Sequence, residues 1–172
     1  MTSKGMPLSA LLSNRRDSLV NKWFDRVVRA YPESTSNFLS REKDRFRNPV
    51  GHTLKEGLSA LFDGLVQEKD VASLDSVLDD IVKMRAVQDF SASQAVSFPL
   101  LLKKIIQEEC AADVSGHQAE YEDLDARIDS LTLLAFDLYM KRRERILEIK
   151  NNEAKRSMFL LERNGQNGRS RP

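Results

Sequence analysis

The sequence predicts an all-α protein, and three observations predict it. Apolar residues recur at helical spacing through most of the 172 residues. Alternating apolar and polar runs are absent, and the β-branched residues also fall at helical intervals. From Gln118 to Glu162 neither Pro nor Gly interrupts the chain, so nothing stops a helix there. A chain of this length fits one domain that buries roughly 70% of its unfolded surface. With 41% hydrophobic and 31% charged residues it has the balance of a folded domain and not of a disordered one.

The elements follow in order. Pro7 to Tyr31 carries Leu8, Leu11 and Leu12, then Leu19, Val20, Trp23, Phe24, Val27 and Val28 on an amphipathic stripe. Asp17 is its expected N-cap and Tyr31-Pro32 its stop, with Trp23 read as a core anchor. A short polar segment follows, anchored only by Phe38 and Leu39. Asn48-Pro49-Val50-Gly51 forms a turn that starts the next helix, Gly51 to Gln67. Gly57 and Gly64 lie seven apart on nearly one face of it. Each costs about 1 kcal/mol against alanine in a helix interior, which points to close approach of a neighbouring helix or a ligand.

Asp70 to Phe90 has Leu74, Val77, Leu78, Ile81, Val82 and Met84 or Arg85 on one stripe. Asp89 or Ser91 can cap the next helix, and Gln94 stands three residues after Ser91, the capping-box spacing. Ser91 to Ala111 should be kinked by Pro99. Val114-Ser115-Gly116 is the last break. The first half of the final helix, Tyr121 to Leu138, is a core stripe. Its second half, Lys141 to Arg163, keeps a thin apolar set among charges and suits a paired, coiled-coil-like helix.

Charge is unevenly placed. Net charge is +1, yet residues 141–172 hold ten Lys/Arg against four Glu, and the rest of the chain is acidic. The basic end either docks on an acidic partner, a nucleic acid or a membrane surface, or is simply a solvated helix end. No apolar run approaches the ~20 residues of a membrane span. The single Cys110 excludes an internal disulfide framework, fits a reducing cytoplasm, and reads as a small hydrophobe near a helix end.

Catalytic and metal signatures are weak. His52, His117 and Cys110 do not make a His/Cys metal site, and Asp79-Asp80 and Glu108-Glu109 are adjacent pairs that diverge on a helix. Asp63, Asp75 and Asp79 are read as facing water. No phosphate-binding glycine loop or nucleophile elbow occurs, and the reading is therefore not an enzyme. Haem would need a proximal ligand, and Asp70 to Ala111 contains no histidine, which leaves only Met84 or Cys110 there.

Two motifs carry a resemblance. One is Arg85-Ala86-Val87-Gln88-Asp89-Phe90-Ser91-Ala92-Ser93-Gln94-Ala95-Val96-Ser97-Phe98 followed by Leu101-Leu102-Lys103-Lys104. The other is Asp44-Arg45-Phe46-Arg47-Asn48-Pro49-Val50-Gly51, with Trp23 in the first long helix. Over residues 10–145 the chain resembles the RsbRD N-terminal domain family. The resemblance implies a haem-free, globin-like bundle that dimerises and serves as the sensory part of bacterial stressosome co-antagonists. In those proteins a long final helix leads into a STAS domain, for which there is no room after Arg163. The expected organisation is a globin-like sensor domain over 1–140, an extension of the final helix over 141–163 for dimer or partner docking, and a disordered tail over 164–172.

On that resemblance a small ligand would sit where haem sits in a globin. Arg85, Gln88, Asp89 and Gln94 bracket one helix junction, and Asn48 and His52 form another polar turn. The competing reading is structural, with Asp89, Ser91 and Gln94 as caps and Arg85 paired to an acidic neighbour. Leu138, Arg142, Ile146 and Ile149 are the expected homodimer or protein-partner contacts. The expectation is thus a cytoplasmic, dimeric signalling module in a stress or redox response, without a cofactor, that binds a small molecule or a protein. The alternatives are a haem- or cofactor-binding redox sensor and, ranked last, a nucleic-acid binder working through its basic C-terminal helix.

Overall fold

The computed structural model describes residues 5–88 and 90–168, the side chains of 162 and 164–168 excepted. Among the described residues there are nine α-helices, one 3₁₀ turn and no strand, so the chain is all-α. It divides into two compact units, Met1–Tyr139 and Met140–Pro172. No described helix is long and apolar enough to cross a membrane.

Within the first unit, α1 (Leu8–Asn14) and α2 (Arg16–Val28) are separate helices that break at Arg15. Asp17, expected as the N-cap, lies instead in the first turn of α2, where its carboxylate still suits the helix N-terminus. At the break the Arg15 guanidinium donates to the Glu109 carbonyl at 2.7 Å and pairs with Asp113 at 3.3 Å. Asp63 does not simply face water, because Arg16 forks onto it through Nε at 2.6 Å and Nη2 at 2.8 Å. The polar segment after Pro32 forms a helix, α3 (Glu33–Arg41), pinned by the buried Leu39.

α4 (Pro49–Val66) starts with Pro49 in its first turn and Asn48 as N-cap. Its glycines admit a neighbouring segment. A Cβ on Gly57 would lie 2.9 Å from Ile81 Cδ1, and one on Gly64 would lie 2.5 Å from Leu74 Cδ2. α4 ends on Glu68 in the left-handed region (φ 58°), with Lys69 N–H bonded to the Gly64 carbonyl and Glu68 N–H to that of Leu65. That is a Schellman motif with a glutamate where glycine is usual.

A 3₁₀ turn, Val71–Leu74, leads into α5 (Asp75–Ala86). The Ser91–Gln94 capping box is present and opens α6 (Ala92–Val96). Pro99 does not kink a continuous helix. The chain breaks at Ser97, and Pro99 takes the first turn of α7 (Phe98–Glu109), where a missing N–H loses no partner. Val114-Ser115-Gly116 is not the break either. It lies in α8 (Ala111–Gly116), and the chain turns at His117. Both His117 ring nitrogens are engaged there, 2.8 Å from the Asp113 carbonyl and 3.0 Å from that of Met6.

α9 (Gln118–Gly168) is assigned as one helix and continues past Asn164-Gly165, where a tail was expected. No proline interrupts it, and of its two glycines Gly168 is the last residue and Gly165 costs only about 1 kcal/mol. Residues 169–172 of that expected tail lie outside the described residues.

The core of the first unit forms where α2 packs on α4 and α7, and α4 on α5. Trp23 sits at its centre, 0% exposed, and its indole N–H donates to the Phe98 carbonyl at 2.7 Å. Tyr121, Leu124, Ile128, Leu131, Ala135 and Leu138 of α9 close the same core. Cys110, buried at the α7 C-cap, behaves as the small hydrophobe expected.

Candidate functional site

The inward stripe of α5 reads Leu78, Ile81, Val82, Arg85 and Ala86, so helical periodicity carries a cation into the core. Arg85 is 2% exposed. Its Nε donates to the Ala95 carbonyl at 2.9 Å and its Nη2 to that of Gln94 at 2.8 Å. These carbonyls lie in the last turn of α6, where a helix leaves acceptors without intrahelical partners. Among the described residues Arg85 has no carboxylate partner, and Asp89, the acidic residue one turn on, lies outside them. Aromatic rings stand in its place. The guanidinium carbon is 4.6 Å from the Phe90 ring centroid, 5.5 Å from that of Tyr31 and 5.8 Å from that of Phe98. Burial pushes the guanidinium's pKa down from its ordinary value, and the nearby Tyr31 works against that shift.

Beside this cage lies a cleft of about 600 Å³ lined by Ala30, Tyr31, Pro32, Thr35, Gln88, Phe90 and Gln94. None of these side chains is charged. The Tyr31 and Phe90 rings meet edge to face, 5.0 Å apart, and both line the cleft. Among the described residues three buried polar atoms at this junction, Arg85 Nη1, Tyr31 Oη and Gln88 Oε1, have no partner in good hydrogen-bond geometry, although the Tyr31 hydroxyl stands close enough to the guanidinium to hold its pKa up. Buried polar groups are normally paired, so three orphans at one junction require an explanation. Phe90 also faces α9 through its backbone, its carbonyl 3.5 Å from the Tyr139 hydroxyl.

The structure therefore brings together three of the residues singled out in the sequence, Arg85, Gln88 and Gln94. Gln94 contributes its carbonyl to Arg85 and its side chain to the Ser91 cap. Asp89 lies outside the described residues. Sequence reasoning missed Tyr31, Thr35 and Phe90. The available signal was Arg85 itself, since a cation on a core stripe demands acceptors or aromatic faces around it.

Asn48 and His52 do not join this site. Both line a different cleft of about 370 Å³, together with Phe24, Leu39 and Lys55. Asn48 is 2% exposed and already engaged. Its Nδ2 donates to the Leu39 and Glu42 carbonyls, each at 3.0 Å, and its Oδ1 accepts from Gly51 N–H at 2.9 Å. His52 Nε2 lies 2.9 Å from Glu56 Oε1 but out of line for a hydrogen bond. Between Asp44 and Asn48 the backbone is tied down, yet Phe46 is 94% exposed. Among the described residues no group of three or more His, Cys, Asp or Glu gathers to hold a metal ion.

The expected partner residues divide. Leu138 is buried in the core of the first unit, so its apolar surface is already used there. In the second unit Arg142 and Ile146 are half-buried and Ile149 is exposed. A separate set there, Met140, Leu147, Ala154 and Leu161, repeats every seven residues, and its Leu147 and Leu161 are exposed.

Comparison with curated proteins and with solved structures gives no match. A family model does match, over residues 17–154, and its span takes in Trp23, the Asn48-Pro49 turn and the whole Arg85 junction. The chain belongs to the family described as the RsbT co-antagonist protein rsbRD N-terminal domain.

Proposed function

We propose that the chain is a non-enzymatic, haem-free signalling module of stressosome type that senses a small molecule at the Tyr31–Gln88 cleft. The observation that carries this reading is that two residues lining one cleft, Tyr31 and Gln88, each hold a buried polar atom without a hydrogen-bond partner among the described residues, with Arg85 Nη1 a third behind the wall. Groups of this kind cost stability when unpaired, and a ligand that pairs them recovers that cost. A largely apolar cleft with a few convergent polar groups is the usual form of a small-molecule site. The family's description as a co-antagonist of RsbT supports a role exercised through protein partners. The contact from Phe90 to Tyr139 gives the cleft a route to α9.

Pairing with a second copy through α9 belongs to the same reading. The seven-residue repeat from Met140 to Leu161 supports it, because such a seam is buried when two helices coil together. Neither histidine lines the Tyr31 cleft, which supports a site that takes no haem.

The test is native mass spectrometry of the chain purified without oxygen, with an absorption spectrum of the same sample. A colourless dimer carrying a small added mass that is lost in Gln88→Leu is the expected result. A Soret band would overturn the haem-free reading. A dimer without any adduct would move sensing away from this cleft to a protein contact.

A further inference from the structure

The chemistry of the cleft says which class of molecule it takes, an inference that rests on the cleft being the sensory site. We propose that the ligand is a small monocarboxylate with an apolar body. Its carboxylate would meet Arg85 Nη1, the Tyr31 hydroxyl and the Gln88 carboxamide, with the Phe90 ring as the movable wall.

Charge comes first. A buried guanidinium without a carboxylate partner among the described residues stands behind the wall of a cleft whose described lining residues are all uncharged, and it puts a positive potential there. A cation entering there is repelled, and a neutral molecule gains little. A compact anion is attracted more strongly than it would be in water, because the surroundings are poorly screening. One fixed positive charge matches one negative charge. A dianion would leave its second charge desolvated and unpaired.

Donor geometry comes second. Two of the three guanidinium nitrogens are committed to the Ala95 and Gln94 carbonyls, and the third, Nη1, keeps both its N–H groups free of partners. A carboxylate accepts through both oxygens and suits a guanidinium edge better than a hydroxyl or a ketone does. Tyr31 Oη supplies a further donor. Gln88 is oriented with Oε1 inward, and a half-turn of its amide presents Nε2 to the same place.

Access and fit come third. Arg85 does not line the cleft directly, because the Tyr31 and Phe90 rings intervene. Phe90 is half-buried, and a swing of its ring would break none of the hydrogen bonds of the α6 cap, which Ser91 and Gln94 make between themselves. The displaced ring and the apolar faces of Ala30 and Pro32 would then cover the ligand body.

The experiment compares three probes of one size at matched ionic strength: sodium benzoate, benzamide and benzylammonium chloride. Each is titrated into the full ¹⁵N-labelled chain while the Arg85 Nε–H and Gln88 side-chain resonances are followed. Benzoate should shift both and saturate in the millimolar range, about what a single such contact sustains. Benzamide should bind at least ~10-fold more weakly, and benzylammonium should leave both resonances in place. Tyr31→Phe and Gln88→Leu should each weaken benzoate about fivefold, the value of one hydrogen bond. Arg85 holds α6 and its variants can unfold, so these two lining variants carry the test. Equal binding of benzoate and benzamide at these resonances would overturn the anion class while leaving the cleft as a ligand site. If none of the three probes moved them, the class and the sensory cleft would fall together.

Discussion

Asn48 offers the sharpest separation between a ligand contact and a structural strut. Its amide joins the end of α3 to the start of α4 with three hydrogen bonds, two donated to carbonyls and one accepted from Gly51. Asn48→Ala removes the helix cap, worth about 1 kcal/mol. It also strands two carbonyls, at about 1 kcal/mol each. The sum is about 3 kcal/mol, or a fall in Tm of about 10 °C for a domain of this size. Asn48→Asp separates the two roles, because Asp and Asn are equivalent as N-caps. Asp keeps the acceptor for Gly51 but turns an anionic oxygen toward the Leu39 and Glu42 carbonyls. If the strut matters, Asp should be about as damaging as Ala at pH 7. Urea unfolding followed by circular dichroism gives both values, with an unchanged m confirming that only stability moved. An Asn48→Asp midpoint within about 0.5 kcal/mol of the parent would reduce Asn48 to a cap and refute the bridging argument.

Three further outcomes follow from the packing and the charges. Gly57→Ala should destabilise because its Cβ meets Ile81 Cδ1. Ile81→Val deletes that atom, so the double variant should lose less than the sum of the singles by about 1 kcal/mol, and strict additivity would contradict the close-approach account. Glu68→Gly should stabilise by about 0.5–1 kcal/mol in thermal melts by relieving the left-handed residue of the α4 terminus, while an unchanged or lower Tm would count against it. Stability should decline as pH rises through about 9 to 11. Burial raises the Cys110 thiol and the Tyr121 phenol above their ordinary 9.0 and 10.0. Burial works against the charge of Lys103, but hydrogen bonds to Asp125 and Asp129 outweigh it and raise Lys103 above 10.5. In each case the folded chain holds a proton that the unfolded chain has released, so the slope is negative. Urea midpoints that stay flat to pH 10.5 would contradict this, and Cys110→Ala should remove the earliest part of the decline.

What could be read in the sequence was mostly local. The Ser91–Gln94 box, the Asn48-Pro49 start and the core stripes depend on residues within one or two turns of each other, and spacing is enough to find them. Gly57 and Gly64 were legible for a different reason, since glycine inside a helix needs an external cause. The failures have tertiary causes. No helix breaker stands near Arg15, and the contacts its guanidinium makes at the break, to Glu109 and Asp113, come from more than ninety residues away. α3 has weak propensity and one buried anchor, so its helicity depends on what Leu39 packs against. Pro99 marked an irregularity correctly, but spacing alone did not distinguish a kink from a fresh start. At the site, the position of Arg85 on a buried stripe was visible, whereas Tyr31 reaches it from fifty-four positions earlier and carried only the signal of a helix stop.

The same arginine shows how a structural role at this junction leaves hydrogen-bonding capacity over. α6 has only five residues, too few to persist alone, and it is held at both ends. Ser91 and Gln94 satisfy its first N–H groups, and Arg85 satisfies carbonyls of its last turn. This leaves α7 free to begin at Phe98, whose carbonyl takes the Trp23 indole and whose ring faces the guanidinium. Nε and Nη2 therefore serve the fold, while Nη1 is left over. A ligand at Nη1 adds a contact without undoing one, so binding would tighten the junction instead of unmaking it. Phe90 is the one cage residue that both lines the cleft and meets Tyr139 of α9, whose hydroxyl lies 3.5 Å from its carbonyl.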